Sequence, residues 1–587
     1  MKAEGENCMP EQPEAMDGML VEFDVPIAMD DGIVLRADVF RPPDDGQFPV
    51  ILTYGPYAKG LHFEDGYPDA WRMMCEDYPD VPANSTNKYQ AWEVADPEKW
   101  VREGYVCVRV DSRGAGRSPG VINSFSPREV RDAHDCIEWA GVQPWSTGRV
   151  ALNGISYYAV IQWPVAALQP PHLAAMIAWE GMSDWYRDGA YHGGIRSQFV
   201  TGWYPNQVST VQHGLGDRAK RSRITGLSVA GDETLSEEEL AANTVAFDQS
   251  IVDHSLDDDF YADLRADLSK VTVPLLSAAN WGGHGLHLRG NVEGYLGAAS
   301  KDKWLEFHGR EHWVEFYTDY GRGLQLEFLD HFLKDVDNGW DKRPPIIMNV
   351  RHHDESFELR AEDAWPIPRT QWTELYLDAS DMSLRPEQPA VDAEVTYRAM
   401  EGSVTFRTVM NETTEISGPS RASLRIVSET RDADLFLILQ VFDPEGSEVA
   451  FKGAVQTHAP VAHGWLRASH RDLDRQRSLP WRPWHPHDKV EPLEPGKPYD
   501  VDVEILATSI VIPAGYTLAL TVQGQDYEAP NDVPDVQVQW LSMRGVGPFK
   551  HNDPADRPKD VFGGEVTLLA GGESAAKVVV PVIPTTR

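Results

Sequence analysis

The chain is short of cysteine, of positive charge and of long apolar runs, and each shortage excludes something. Only four cysteines occur in 587 residues, Cys8, Cys75, Cys107 and Cys136, and no two form a C-x-x-C pair. A disulfide framework or a structural zinc site needs closely paired cysteines, so reduced thiols and no metal are expected. Lysine and arginine number 53 against 91 aspartates and glutamates, a formal net charge of −38. That deficit of cations argues against nucleic acid and anionic membrane surfaces as partners. No run approaches the roughly twenty apolar residues of a membrane span, and residues 1–18 are polar and acidic, without the apolar core of a signal sequence. They read as a disordered tail, and a cytoplasmic location is expected. The Walker lysine and the G-x-G-x-x-G spacing are also missing. The glycine-rich DSRGAGRSPG (111–120) is therefore read as a turn fixed by Asp111 and Arg113 rather than a phosphate cradle.

What is present suits packed cores. Apolar residues make up 42% of the chain, with 19 Trp, 20 Tyr and 19 Phe, and the length predicts two or three domains. LVEFDVPIAM and IVLRADVF alternate and predict a hairpin, whereas PVILTY (49–54) is continuously apolar, as in a strand covered on both faces. Residues 60–100, rich in Trp, Tyr, Pro and Asp, have no clean period and read as an inserted loop or lid. GYVCVRVD, HLAAMIAWEG (172–181), VPLLSAANW (273–281) and KWLEFHG (303–309) are further buried strands. The face Val130, Ala133, Ile137 and Ala140 marks a helix over 127–142. Residues 182–270 turn helical and charged, with a capping box at Ser236 and Glu239. The reading is an α/β-hydrolase domain over 19–181 and 271–340, with a helical cap over 182–270. Past Gly339–Pro345 the segments shorten and alternate, as in Val501, Val503 and Ile505 against Asp500, Asp502 and Glu504. Residues 341–587 are therefore predicted to form an all-β jelly roll.

The chemistry centres on GRVALNGISYYAVIQW (148–163). A strand ends in Gly154-Ile155-Ser156-Tyr157-Tyr158 and a helix begins, which would expose the Ser156 hydroxyl at the sheet edge and aim the Tyr157 amide at whatever it attacks. The match to G-x-S-x-G is partial, because Tyr158 stands where the second glycine belongs; a serine that only caps the helix is the plainer alternative. A serine nucleophile needs a base, and in this architecture the histidine follows the last core strand, where His312 stands in FHGREHW. His308, nearer the strand, is read as structural. A second oxyanion donor would come from the loop after PVILTY, which carries Tyr57.

The combination YGPYAKG, DSRGAGRSPG, QPWSTGRVALNGISYYAVIQW, SDWYRD, HGREHW and GWLRASHR, spread over roughly residues 20–570, resembles the cocaine esterase / X-prolyl dipeptidyl peptidase / α-amino-acid ester hydrolase group of serine hydrolases. The resemblance implies an α/β-hydrolase domain, a helical cap and a jelly roll, with Ser156 as nucleophile, His312 as base and Tyr57 as oxyanion donor. The family glycine three places after the serine is Ala159 here.

One departure matters. The family acid follows the strand matching VPLLSAANW in a W-x-D pattern, but this chain reads Trp281-Gly282-Gly283-His284-Gly285, with no carboxylate. The acid has moved to Glu180, which ends the preceding strand, or to Asp184, or the enzyme lacks one; Glu180 is the favoured reading. His284 and His287, and likewise His485 and His487, lack a third ligand at useful spacing, so no metal is expected. The expected function is serine hydrolysis of a small-molecule ester or amide through an acyl-enzyme, with no cofactor. Trp185, Tyr186 and Trp203 in the cap suggest a bulky or aromatic acyl group. The rival is a weak or inactive ligand-binding member, because the acid position is Gly283. Oligomeric state stays open, a homodimer being one option.

Overall fold

The strand Phe48–Gly55 pairs parallel with Val106–Asp111 on one side and Ser146–Ile155 on the other. Its residues from Pro49 to Gly55 are all buried, because helices cover both faces of the sheet there. A computed structural model describes residues 14–584 and builds an eleven-stranded sheet around this centre. Outward on the Ser146 side come Leu173–Trp179, Leu275–Asn280, Lys303–His308 and Ile346–Arg351, all parallel, and then Phe357–Glu362, antiparallel. On the other side lies the predicted hairpin, Met19–Ala28 with Val34–Arg41. The helix Pro127–Gly141 begins where Ser126 accepts the Glu129 amide, and its face Val130, Ala133, Ile137 and Ala140 is buried as the periodicity predicts.

Three expectations are revised. Of the tail over residues 1–18, residues 1–13 lie outside the described residues, but Glu14–Met16 form an edge strand on Met19–Val21. An Asp17-Gly18 turn with φ of 50° and 82° allows that return, and Asp17 is held by Lys88 and the Tyr89 hydroxyl. Ile346–Arg351 and Phe357–Glu362, expected beyond the boundary at 340, belong to the hydrolase sheet, since Ile346, Met348 and Val350 bury one face against it. The segment 182–270 is less regular than a helical insertion: its helices are of five to seven residues, interspersed with π and 3-10 turns, although the Ser236–Glu239 capping box forms as read.

Apart from two short hairpins, Tyr191–His192 with Ile195–Arg196 and Gln537–Val538 with Leu541–Ser542, the remaining strands make a carboxy-terminal all-β jelly roll. Its frame is the pairing of Thr414–Ser428 with Pro498–Ile512, broken by a bulge at Gly418–Ser420. The last strand, Lys577–Ile583, pairs with both Gln371–Asp378 and Thr414–Ser428 and so closes the sheet on itself. Cys107 and Cys136 are buried free thiols, Cys75 is a half-buried one, and Cys8 lies outside the described residues. Among the described residues no helix is long and apolar enough to cross a membrane.

The two domains share a core. Val455, Val538, Leu541, Met543 and Phe549 of the jelly roll pack into the hydrolase cluster. Gly282 and Gly285 permit this approach: a Cβ on either would lie 2.4 Å from the Gly453 Cα or 2.2 Å from the Phe549 ring.

Candidate active site

Ser156 sits at φ 55°, ψ −115°, between the strand Ser146–Ile155 and the short helix Tyr157–Val160. A non-glycine residue is rarely found there, and the turn is held because its neighbours fix both ends: the Ser156 amide donates to Trp179 O at 3.1 Å and the Ile155 amide to Glu93 O at 3.1 Å. The partial motif has a spatial explanation. A Cβ on Gly154 would come within 2.5 Å of the Tyr158 Cβ, and one on Gly55 within 2.7 Å of the Tyr158 ring. Two glycines on adjacent strands thus make the room that a glycine at 158 would otherwise supply. Ala159 fits for the same reason, with Gly181 opposite it. Tyr157 is the first residue of its helix, where the amide has no acceptor within the helix. Its buried hydroxyl donates to Glu129 at 2.8 Å and fixes the turn from below.

Tyr57 follows the central strand and is 5% exposed. Its loop is braced at Ala58, φ 63°, and at Lys59, whose amide donates to Asp111 at 2.6 Å and whose ammonium meets Asp24 at 2.6 Å and Asp38 at 2.9 Å. Asp111 also accepts the Arg117 amide, so the glycine-rich turn is fixed from within, while Arg113 pairs with Asp31 and Asp132. The Tyr57 hydroxyl accepts from Trp203 Nε1 at 2.9 Å, which leaves its own proton to donate. Burial, with Glu93 nearby, pushes this phenol well above its ordinary pKa, so the donor stays protonated.

His312 hangs on the loop after Lys303–His308, and its amide is held by Ala454 O of the jelly roll at 2.8 Å. Its Nδ1 lies 2.8 Å from Glu180 Oε2. Glu180, fully buried at φ 46°, ends the strand before the cap; its other oxygen meets His308 Nε2 at 3.1 Å and Asn280 Nδ2 at 3.2 Å. Burial alone would raise the Glu180 carboxyl, but His312 and His308 outweigh it and hold the group well below the usual carboxylate range. Burial likewise pulls His312 down, yet Glu180 and Glu93 prevail and raise it to about 10. His308, read as structural, is bound on its far nitrogen by Glu306 at 2.7 Å.

Asp184 lies elsewhere: its carboxylate pairs with Arg187 at 2.9 Å and Arg265 at 3.1 Å. Of the cap aromatics, Trp203 reaches Tyr57 and Trp185 packs on Phe125. Tyr186 turns away, stacking on Tyr191 with its hydroxyl on Ser255 O. Of two groups beside His312, Glu93 went unread in the sequence and His287 was weighed there only as a metal ligand. Glu93 Oε1 stands 2.9 Å from His312 Nε2, and the His287 ring stacks on that of His312 at 5.3 Å, 18° from parallel. Nothing in QAWEVAD distinguishes Glu93, because the φ of 63° that turns it inward is a tertiary feature.

A family model for X-Pro dipeptidyl-peptidase (S15 family) matches residues 31–313, and one for its C-terminal non-catalytic domain matches residues 338–539. The crystal structure of a CocE/NonD family hydrolase from Staphylococcus aureus is 32% identical, with a TM-score of 0.82 over 96% of this chain and 94% of that one. The chain belongs to the CocE/NonD hydrolase family. Cocaine esterase from Rhodococcus sp. is 24% identical, the match covering 86% of this chain and 91% of that protein. An α-amino-acid ester hydrolase, 16% identical with a TM-score of 0.66 over 99% of this chain and 100% of that one, shares the fold. Like its CocE/NonD relatives, the protein is an enzyme, a serine hydrolase.

Proposed function

We propose that the protein cleaves an ester or amide bond of a small molecule through an acyl-enzyme on Ser156, with His312 as base, Glu180 as the orienting acid, and Tyr57 and the Tyr157 amide as oxyanion donors. The observation that carries this reading is the 2.8 Å contact between Glu180 Oε2 and His312 Nδ1 beside a strained serine elbow. With Glu180 on Nδ1, the ring is held in the tautomer whose Nε2 can take a proton, and the imidazolium that results is stabilised. His312 takes the Ser156 proton as Oγ bonds to the substrate carbonyl carbon, and the carbonyl oxygen becomes an oxyanion between Tyr57 and the Tyr157 amide. Collapse breaks the bond to the leaving group, which receives the proton from His312. Water then attacks the acyl group by the same route and releases the acid.

A ligand-binding member with little turnover is the second reading. It is favoured by Gly283 at the family's acid position and by the engagement of His312 Nε2 with Glu93 rather than Ser156. A fluorophosphonate probe separates the two. Stoichiometric labelling that disappears in Ser156→Ala supports the hydrolase; equal labelling of the variant, or none of either protein, refutes it.

A further inference from the structure

His312 is held on both edges of its ring. Glu180 takes Nδ1 at 2.8 Å and Glu93 takes Nε2 at 2.9 Å, and neither nitrogen bonds Ser156. Glu93 is not a passing side chain. It is 3% exposed, its carbonyl accepts the Ile155 amide one residue before the nucleophile, and its second oxygen, Oε2, is buried with no partner among the described residues. A ring with a carboxylate on each nitrogen keeps a proton on each. It is then an imidazolium, with no lone pair to receive the serine proton.

We propose that Glu93 is a positioning residue that latches the base: its carboxylate holds His312 as imidazolium in the substrate-free enzyme and must yield Nε2 to the Ser156 hydroxyl before acyl transfer. The proposal rests on the reading of Ser156 and His312 given above. Two carboxylates raise the base, Glu180 first and Glu93 second, and the latch is the Glu93 share. His312 faces Glu180, Glu93 and the His287 ring, with His308 beyond Glu180. Burial and the neighbouring His312 hold His287 well below its ordinary pKa, so it is neutral. Glu93 faces His312, Glu180 and the phenols of Tyr57, Tyr67, Tyr158 and Tyr317, which burial keeps protonated. Burial lifts the Glu93 carboxyl to about 7 against the pull of His312, so it is ionised across the alkaline range in which the base loses its proton.

The test is the rate constant for fluorophosphonate labelling of Ser156 in the full chain between pH 5 and 11. In that reaction Oγ bonds to phosphorus, fluoride leaves and His312 takes the proton, so the rate follows the fraction of neutral imidazole. The wild type is expected to rise along a limb well above pH 7. Glu93→Gln should move that limb down by about 1–3 units, the effect of one adjacent opposite charge, and so label about ten- to a thousandfold faster below it. Glu93→Asp, which keeps the charge, should restore much of the wild-type profile. An unmoved limb in Glu93→Gln overturns the latch. Should that variant fail to fold, a wild-type limb at pH 6–7, that of an unencumbered imidazole, overturns it equally. A wild type that is not labelled at any pH removes the underlying reading, an outcome distinct from labelling with an unmoved limb.

Discussion

Glu180 and Asp184 stand four residues apart in one run of chain, both buried and both held well below the ordinary carboxylate range, yet their partners differ in kind. Burial works against ionisation in each. In Glu180 it is overcome by the imidazoles of His312 and His308, in Asp184 by the guanidiniums of Arg187 and Arg265, with Arg289 nearby. An imidazole can gain or lose its proton between about pH 5 and 10 when carboxylates adjoin it; a guanidinium cannot. A carboxylate facing imidazoles can support proton transfer, whereas one facing guanidiniums can only hold two segments together. Arg265 and Asp257 extend the second cluster into the cap, and Arg187 also donates to His485 O and Pro486 O of the jelly roll, so Asp184 sits at a three-way junction.

The largest effect that would sharpen this contrast is on rate. Glu180→Gln keeps the shape but not the charge, and is expected to lower turnover by about three to four orders of magnitude, some 4 to 5.5 kcal/mol in the barrier, while the chain still folds. Labelling rates or ester turnover within a factor of ten of wild type would end the claim that Glu180 serves the base. Next comes Tyr57→Phe, which removes the proposed oxyanion donor without touching either carboxylate cluster. Turnover should fall by roughly ten- to a thousandfold, with the acidic limb of the pH profile left in place. A shifted limb would mean that Tyr57 acts through His312 instead.

Much of this was legible in the sequence, and what was not has a physical cause. The alternating and continuous apolar runs mark the strands because burial on one face or two leaves a period that composition cannot hide. The elbow and His312 follow from chain order. Glu180 could be favoured over Asp184 only because it ends a strand; nothing local shows that Arg187 and Arg265 would claim the second. Glu93 was illegible, since its φ of 63° and its bond to His312, 219 positions away, exist only in the packed chain. Tyr158 at the glycine position of the elbow read as a weakness of the motif. It is instead paid for by Gly55 and Gly154, one of which lies on a different strand about a hundred residues earlier.

The smallest effect is the one that separates the two clusters most cleanly: how the stability each carboxylate confers varies with pH. His308 and His312 are raised to about 10 in the folded chain, against about 6.5 when unfolded. Groups raised in this way add stability that is fully present below about pH 6.5 and is lost as pH climbs through their folded values. Glu180→Gln removes one of the carboxylates that raises them, and Glu180 is itself lowered, so the gap in thermal midpoint between wild type and this variant should be widest between about pH 4.5 and 6.5. It should narrow toward pH 10, by on the order of 1–3 kcal/mol in stability. Asp184 is lowered and its guanidinium partners keep their protons throughout. Its contribution is present above the unfolded value near 3.9 and fades only as pH falls toward its depressed folded value. Between pH 8 and 10, above the value of about 7 to which burial and Asp184 lift Asp188, the gap between wild type and Asp184→Asn should therefore stay constant. Calorimetric midpoints across that range decide it: parallel curves for both variants would show that Glu180, like Asp184, is only holding structure together.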